Sequence, residues 1–390
     1  MRMIRQRLGA FVLVTHALLL WGVARAASAP EPWPATTSSK DIDVPGPGKV
    51  PQLIFTCCDQ GIRAMHSLFA DPMVLADLKE LHAGLAVALG DLSPERTLLV
   101  HRLNEAGIPA IAWLLLPGEQ GYYANVDNAP QMAARFAMFD KWTREHGLRW
   151  EAVGLDIEPN FGEFKAPKWR IFWTMLRRSF DGERVRGPRA AYSALIREIR
   201  ARGYRVQTYQ LPFLADERKV HSTMLERLFG LVDVRGDEEV LMAYSSFNHM
   251  AGGAVVWTYS QDAQRLAVGS TLGSGNAKLD AKYGPLNWEE FSRDTIVASH
   301  FSPAVGVYSL EGCVRQGFLT RLTGKDWSQG VVLPAAAMAR MHRFRLTVQS
   351  ILWTASHLLY LVAALLMAVI WIIRRRIRRK QSAVTTVGKS

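Results

Sequence analysis

Two acidic side chains stand two residues apart at the end of an apolar run. Residues 152–159 read Ala-Val-Gly-Leu-Asp-Ile-Glu-Pro, with Asp156 and Glu158 as the acids. The run predicts a buried strand, and side chains alternate along a strand, so both carboxylates should point into one small space. Like charges that close cannot both ionise freely, so one carboxyl should stay neutral near pH 7. A neutral carboxylic acid can protonate a glycosidic oxygen; the alternative is a structural pair bonded to arginine or backbone amides.

A tyrosine ends another apolar run. Residues 240–246 read Val-Leu-Met-Ala-Tyr-Ser-Ser, which places Tyr244 at the carboxyl end of a predicted strand. In the barrel argued for below, a single strand separates this strand from that of Asp156 and Glu158. The phenol can therefore reach the space above both acids and donate a hydrogen bond to a substrate. The alternative is a tyrosine packed over the core.

Further candidates follow other predicted strands. The polar ones at strand ends are Asp59, Asp91, Glu119, Gln210 and Glu311. Glu311 is a candidate second carboxylate if the reaction uses a separate nucleophile or base. The aromatic side chains that could stack on sugar rings, although each alone is more often a packing residue, are Trp113, Tyr122, Tyr123, Trp257 and Tyr308. The predicted substrate-binding set is Asp59, Trp113, Gln210, Tyr308 and Glu311.

These two motifs resemble those of the family 18 chitinase-like glycoside hydrolases, D-x-x-D-x-D-x-E and Met-x-Tyr-Asp. Here residues 151–158 read Glu-Ala-Val-Gly-Leu-Asp-Ile-Glu, and residues 242–245 read Met-Ala-Tyr-Ser. The resemblance implies a (β/α)₈ barrel that hydrolyses N-acetylhexosamine-containing glycans by substrate-assisted chemistry. It implies that Glu158 is the general acid, that Asp156 orients the substrate's acetamido group and that Tyr244 bonds to that group.

The sequence also departs from the family pattern. Glu151, Gly154 and Ser245 replace three aspartates, and residues 307–311 lack the tryptophan expected after the eighth strand. These losses favour a non-catalytic glycan-binding barrel. Retention of both Asp156 and Glu158 favours an enzyme, because a binding protein has no special need for an acid pair. Muramidase-like barrel hydrolases use the same D-x-E.

The elements that must position these residues alternate between strands and helices. Asp71 and Ser93 each precede a proline and predict helix starts. Gly107, Gly147 and Gly203 each follow a helical stretch and precede a strand, as expected of βα units. The predicted strands are 52–56, 85–89, 110–115, 152–157, 205–210, 240–244, 266–270 and 305–310.

Eight such units over residues 51–325 match a (β/α)₈ TIM barrel, which takes roughly 250 residues. The alternative is an open doubly wound sheet. That fold usually carries a glycine-rich phosphate-binding turn after the first strand, and the sequence Thr-Cys-Cys-Asp-Gln-Gly at 56–61 is not one. The barrel is therefore the predicted α/β fold.

Three cysteines lie near the predicted closure of the barrel. Cys57 and Cys58 end the first strand, and Cys313 follows the eighth, its neighbour in a closed barrel. An exported protein meets an oxidising compartment. We therefore expect Cys313 to pair with Cys57 or Cys58, with three buried free thiols as the alternative.

Both ends of the chain predict membrane targeting. Residues 1–26 combine an arginine-rich start, an apolar run and Ala-x-Ala cleavage sites, which is typical of a signal peptide; an uncleaved anchor is the alternative. A Pro/Ser/Thr-rich linker is predicted at 27–50 and a juxtamembrane stalk at 326–350. Residues 351–373 contain no Asp, Glu, Lys or Arg, and this segment is long enough to form a transmembrane helix. A basic tail follows at 374–390. The excess of basic residues after this segment predicts a cytoplasmic C-terminus, with the large domain on the periplasmic or extracellular side.

Charge and motifs exclude several classes of function. The net charge is +12, but the first 25 residues carry four arginines and the last 17 carry seven basic residues, with no acid in either, which leaves +1 between them. Nucleic-acid binding therefore loses its support. No H-E-x-x-H, C-x-x-C or G-x-S-x-G motif occurs, so we expect neither a metal nor a cofactor. The predicted partners are a polysaccharide, membrane lipid and an envelope polysaccharide complex.

Overall fold

Eight parallel strands form a closed barrel. The computed structural model describes residues 40–272 and 283–387. A first short strand, β1 (Ile42–Val44), lies outside the barrel. The barrel strands, hydrogen-bonded in chain order, are β2 (Gln52–Cys57), β3 (Gly84–Leu89), β4 (Ala110–Leu114), β5 (Ala152–Ile157), β6 (Arg205–Gln210), β7 (Glu238–Met242), β8 (Arg265–Gly269) and β9 (Ala304–Tyr308). All eight predicted strands are confirmed, and β9 pairs with β2 to close the barrel.

Helices lie between the barrel strands in the sequence, and further helices come after the last strand. In chain order they are α1 (Ile62–Phe69), α2 (Pro72–Glu80), α3 (Pro94–Glu105), α4 (Ala129–Glu145), α5 (Lys168–Ser179), α6 (Glu183–Ala201), α7 (Phe213–Lys219), α8 (Met224–Phe229), α9 (Gly253–Ser260), α10 (Trp288–Phe301), α11 (Leu310–Arg315), α12 (Phe318–Thr323) and α13 (Ala335–Val387). Asp71 caps α2 by accepting a hydrogen bond from the Met73 N–H, as predicted, whereas the Ser93 side chain makes no cap bond to α3. Gly107, Gly147 and Gly203 all have positive φ, which confirms the predicted helix ends.

The barrel strands contribute side chains to two hydrophobic clusters, one between the strands and the helices and one inside the barrel. Outward-facing Val153, Leu155 and Ile157 pack against the helices, whereas inward-facing Ala152 belongs to a separate cluster inside the barrel. Gly154 also faces inward, and a Cβ there would lie 2.8 Å from Cε2 of Tyr209 on the next strand. The tyrosine ring therefore occupies the space beside β5, and only glycine fits opposite it.

The segments on either side of the barrel are structured. β1 pairs antiparallel with β10 (Val331–Leu333), so the described part of the predicted linker at 27–50 contains a strand. The segment expected to be a stalk is also packed: Met341, Phe344 and Arg345, in the first turns of α13, are buried. Arg345 donates to Asp216 Oδ1 at 2.9 Å, and its charge satisfies a carboxylate that is fully buried.

The predicted membrane segments lie at the two ends of the chain. The predicted signal peptide lies outside the described residues. Within the described part of the chain, no single helix has the length and apolarity of a membrane span. The helix α13 bends by 65° between its segments Ala335–Leu358 and Tyr360–Arg375, and these two segments have both properties only when taken together.

The cysteine prediction is wrong. A disulfide joins the adjacent residues Cys57 and Cys58, and Cys313 is a free buried thiol. β2 and β9 are neighbours as expected, but Cys313 lies beyond them in α11, where its Sγ contacts Thr271 Oγ1 at 3.7 Å. The carboxylate of Glu311 instead reaches the backbone N–H of Cys58.

Candidate active site

A pocket of about 120 Å³ lies at the carboxyl ends of the barrel strands. Half of its 22 lining residues are aromatic, and three carboxyl groups enter it, those of Asp59, Asp156 and Glu158. None of the lining residues that the structure describes is basic. Active sites of such barrels form at this end, because the βα loops meet there. The pocket is therefore the candidate active site.

β5 places the acid pair as the alternation of side chains predicts. Asp156 is only 4% exposed, and its Oδ1 makes no hydrogen bond with any described residue. Burial raises its pKa to about 8, and the negative charge of Asp59 adds to the shift. Glu158 is half-buried two residues further on, where its N–H donates to the Ala124 carbonyl at 3.2 Å. Burial, followed by the charge of Asp156, raises the Glu158 pKa well above its usual range. No arginine and no backbone amide is among the groups that shift either pKa, so the alternative of a structural pair bonded to arginine or backbone amides gains no support.

Two stacked tyrosines form the wall opposite the acid pair. The rings of Tyr244 and Tyr308 lie 5.9 Å apart and nearly parallel, and the Tyr308 hydroxyl donates to Asp59 Oδ2 at 3.1 Å. Burial raises the pKa of Tyr244 well above 10, and the charges of Asp156 and Glu158 add to this. The Tyr244 phenol therefore keeps its proton and can act as a hydrogen-bond donor. The pKa of Asp59 is also raised, mainly by burial.

Aromatic side chains complete the pocket. Trp113 enters it from β4. Tyr123 packs edge-on against Tyr122 at 4.8 Å and against Phe161 at 6.2 Å, which builds a continuous apolar wall. Tyr209 forms the floor and donates to Gln207 Oε1 at 2.9 Å. Such faces suit the apolar faces of sugar rings.

Other predicted site residues do not line the pocket. Tyr209 faces inward, so the next residue, Gln210, faces the helices and accepts a hydrogen bond from Arg218. Glu311 lies behind the pocket wall, where its Oε1 accepts from the Cys58 N–H at 2.6 Å; burial raises its pKa to about 7. Both are therefore removed from the predicted substrate-binding set.

Three weaker candidates are also placed elsewhere. Asp91 pairs with Arg96 at 3.0 Å. Glu119 is exposed in a short turn after β4. Trp257, on α9, packs edge-on against Phe301 at 4.8 Å. None of the three lines the pocket.

The structure adds pocket residues that sequence reasoning missed. Tyr209 could have been inferred from the glycine on the neighbouring strand, because a missing side chain inside a barrel leaves room for a large one. Met341 and Phe344 come from α13, after the barrel, and Phe344 packs on Phe213 at a ring separation of 6.3 Å. Only an amphipathic interpretation of residues 335–350 could have indicated them.

The departures from the family motifs also have a structural explanation. The space beside Gly154 is filled by Tyr209, so an aspartate would not fit there without moving this ring. Ser245 points away from the pocket and donates to Asp294 on α10, a carboxylate that is itself fully buried. Tyr308 stands at the end of β9, where the family has tryptophan.

No protein-family model and no curated protein matches the chain. It is similar to the solved glycoside hydrolase domain of PgaB (BpsB) from Bordetella bronchiseptica, with 8% identity, 70% of this chain and 98% of that chain covered, and a TM-score of 0.44. A chitinase from Chromobacterium violaceum also matches, with 12% identity, 68% of this chain and 98% of that chain covered, and a TM-score of 0.39. A D-allulose 3-epimerase from Methylomonas sp. matches with 11% identity, 77% of this chain and 99% of that chain covered, and a TM-score of 0.39. At such TM-scores, these likenesses say nothing about the reaction.

Proposed function

We propose that this protein is a membrane-anchored glycoside hydrolase acting on N-acetylhexosamine-containing cell-wall or exported polysaccharide. One observation carries the proposal. Asp156, near the end of β5, and Glu158, two residues further on, enter the same aromatic pocket, with no basic residue among the described lining residues and with both pKa values raised. A carboxyl group that remains protonated near pH 7 is what glycosidic bond cleavage requires of a general acid.

In the proposed reaction, Glu158 gives its proton to the glycosidic oxygen as that oxygen leaves the anomeric carbon. The carbonyl oxygen of the substrate's acetamido group attacks this carbon, so the electron pair of the broken bond stays with the leaving alcohol. Asp156 orients the acetamido N–H, and the Tyr244 hydroxyl donates to its carbonyl oxygen. Water then opens the cyclic intermediate and returns a proton to Glu158.

The aromatic walls supply binding without charge. Trp113, Tyr122 and Tyr308 present ring faces or edges to the pocket, and sugar rings pack on such surfaces through their C–H faces. A neutral, aromatic pocket suits a neutral N-acetylated sugar better than an acidic one, because ionised groups of the substrate would meet carboxyl groups and no cation.

A glycan-binding barrel without catalysis is the second candidate. The observation that favours it is the loss of two aspartates of the family motifs, at Gly154 and Ser245. Tyr209 fills the space beside Gly154, and Ser245 bonds to Asp294 outside the pocket. Such a barrel would hold a polysaccharide in an envelope assembly.

The location is part of the proposal. A cleaved signal peptide at 1–26 and a span at 351–373 would leave the barrel on the periplasmic or extracellular side and the basic tail in the cytoplasm. Green fluorescent protein fused to the C-terminus should then fluoresce, because it matures in the cytoplasm. A dark fusion of full length would contradict this orientation.

The deciding experiment is release of reducing ends from chitin oligomers, peptidoglycan and poly-N-acetylglucosamine. The Glu158→Gln variant should lose about 10²–10⁴-fold in rate, because it lacks the transferable proton. Glu119→Gln is the matched control: this carboxylate also follows a barrel strand but is exposed and outside the pocket. Release by neither protein, with binding unchanged in both, would support the glycan-binding barrel instead.

A further inference from the structure

One helix at the mouth of the barrel is additional to the repeating βα units. Two helices separate β5 from β6, and the second of them, α6, packs against β6 and α4 as a barrel helix does. The first, α5, instead packs on α8. It begins ten residues after Glu158 and follows Phe161, which lines the pocket. α5 therefore belongs to the loop that builds the candidate active site.

α5 exposes a large apolar stripe, which we call the aromatic stripe. Its members and their exposed fractions are Trp169 (63%), Phe172 (60%), Trp173 (60%), Leu176 (40%) and Phe180 (59%), the last just past the helix end. The spacing of three, four and seven residues places all five on one face about 100° wide. The opposite face, with Ile171, Met175 and Arg178, is the less exposed one. Five large apolar side chains exposed on one helix face indicate a binding surface.

Basic residues border the aromatic stripe. The helix sequence, Lys-Trp-Arg-Ile-Phe-Trp-Thr-Met-Leu-Arg-Arg-Ser, contains four cations and no acid. Arg178 is used internally, in an ion pair with Glu163 at 2.7 Å. Lys168, Arg170 and Arg177 are exposed beside the stripe. Tryptophan and phenylalanine on one face with arginine and lysine along its borders is the composition of a helix that lies in a membrane interface.

The C-terminal helix α13 packs on α8, the same helix on which α5 packs. The hydroxyl of Ser356, on α13, donates to Ser222, two residues before the start of α8. From Leu358 onwards, most of the large apolar side chains that the structure describes on α13 are exposed. On the other side of α8, Phe229 packs on Phe164, which precedes α5, at a ring separation of 6.3 Å. α8 is therefore in contact both with α13, just before its exposed apolar part, and with α5.

We propose that α5 is an interfacial helix whose aromatic stripe inserts into an anionic bilayer surface, so that the pocket receives glycans attached to that surface. The occupant is lipid, because the stripe combines aromatic side chains with exposed cations, and because α13, which carries the exposed apolar segment, packs on the same helix α8. Anionic head groups attract the cations, and the apolar rings bury in the acyl boundary. The statement about glycans rests on the proposed function, whereas the statement about α5 does not.

The test uses the full chain in nanodiscs of phosphatidylcholine and phosphatidylglycerol, with or without brominated lipid as a fluorescence quencher. Subtracting the emission of a Trp169→Phe/Trp173→Phe variant from that of the wild type isolates the two tryptophans of α5. We expect brominated lipid to remove more than half of this difference emission. The control pair, Trp142→Phe/Trp150→Phe, removes two tryptophans on the body of the barrel, and its difference emission should not be quenched.

Unquenched α5 emission would overturn the proposal, and cross-linked dimers through the same helix would assign the stripe to a second copy of this chain. The second arm compares a soluble chitin tetramer with the same tetramer on a diacylglycerol anchor in the nanodisc. Replacing Trp169, Phe172 and Trp173 by serine should slow cleavage of the anchored glycan at least tenfold and leave the soluble one unchanged. Equal loss on both would contradict the membrane role. If neither glycan is cleaved by the wild type, the proposed function fails and the quenching alone decides the role of α5.

Discussion

Replacing Asp156 by asparagine should stabilise the protein, and by more as the pH rises. Asp156 has a pKa of about 8 in the folded protein, against an ordinary value of 3.8, because it is buried and faces Asp59. Between these two values the folded chain keeps a proton that the unfolded chain releases. Stability is therefore lost as the pH rises from about 4 to about 8.

The size of the effect follows from the two pKa values. Each pH unit between them costs about 1.4 kcal/mol, so holding the proton costs about 2 kcal/mol at pH 5 and about 4 kcal/mol at pH 7. Asparagine has a similar shape and no proton to hold, so the variant avoids this cost. The difference in the free energy of unfolding between Asp156→Asn and the wild type should thus grow by roughly 2–3 kcal/mol from pH 5 to pH 7. This is a large share of the roughly 5–15 kcal/mol that stabilises a typical domain.

The assay is guanidinium unfolding of the full chain in non-ionic detergent, read by near-UV circular dichroism at pH 5, 6, 7 and 8. Any constant offset from altered packing cancels, since only the change with pH is compared. Asp91→Asn is the control: burial opposes ionisation there, but hydrogen bonds from Ser93 and Arg96 lower its pKa, so it is charged in both states across this range. Parallel curves for Asp156→Asn and the wild type would refute the conclusion that Asp156 is held protonated by the fold.

Three further outcomes are expected. Tyr244→Phe should lower kcat/KM about 10–100-fold through loss of one hydrogen bond to the reacting acetamido group, and an unchanged rate of reducing-end release would contradict that role. Arg345→Ala should lower the free energy of unfolding by about 3–5 kcal/mol, because it leaves Asp216 buried without its cation, whereas the exposed Arg343→Ala should have little effect; equal melting temperatures for both would count against the buried ion pair. Titration of the unfolded, unreduced chain should find one free thiol, that of Cys313, and a count of three would exclude the disulfide.

The sequence predicted the barrel well, for a physical reason. Each strand is an apolar run bounded by turn residues, and Gly107, Gly147 and Gly203 adopt the left-handed backbone that a side chain would strain. Period-two alternation then placed Asp156 and Glu158 on the inner face. These are local rules, so residues close in sequence were enough to apply them.

Contacts between distant segments were harder to infer. Gln210 was predicted in the site because it ends a strand, but its neighbour Tyr209 takes the inward position. Cys313 follows β9 as expected but lies in α11, and its expected partners, Cys57 and Cys58, are bonded to each other. The packing of α13 on the pocket depends on Arg345 and Phe344, whose partners are over 80 residues away in sequence. Neither composition nor spacing records such pairings.

The packing of α13 on the pocket has a consequence for truncation of this protein and for its evolution. A tail that only tethers an enzyme can be exchanged for another tail, or removed, without touching the substrate. Here the same helix supplies Met341 and Phe344 to the pocket wall before it reaches its exposed apolar part. A chain cut at the end of the barrel, or joined there to a foreign anchor, would lose one side of its binding site. We therefore expect α13 and the pocket to change together in evolution.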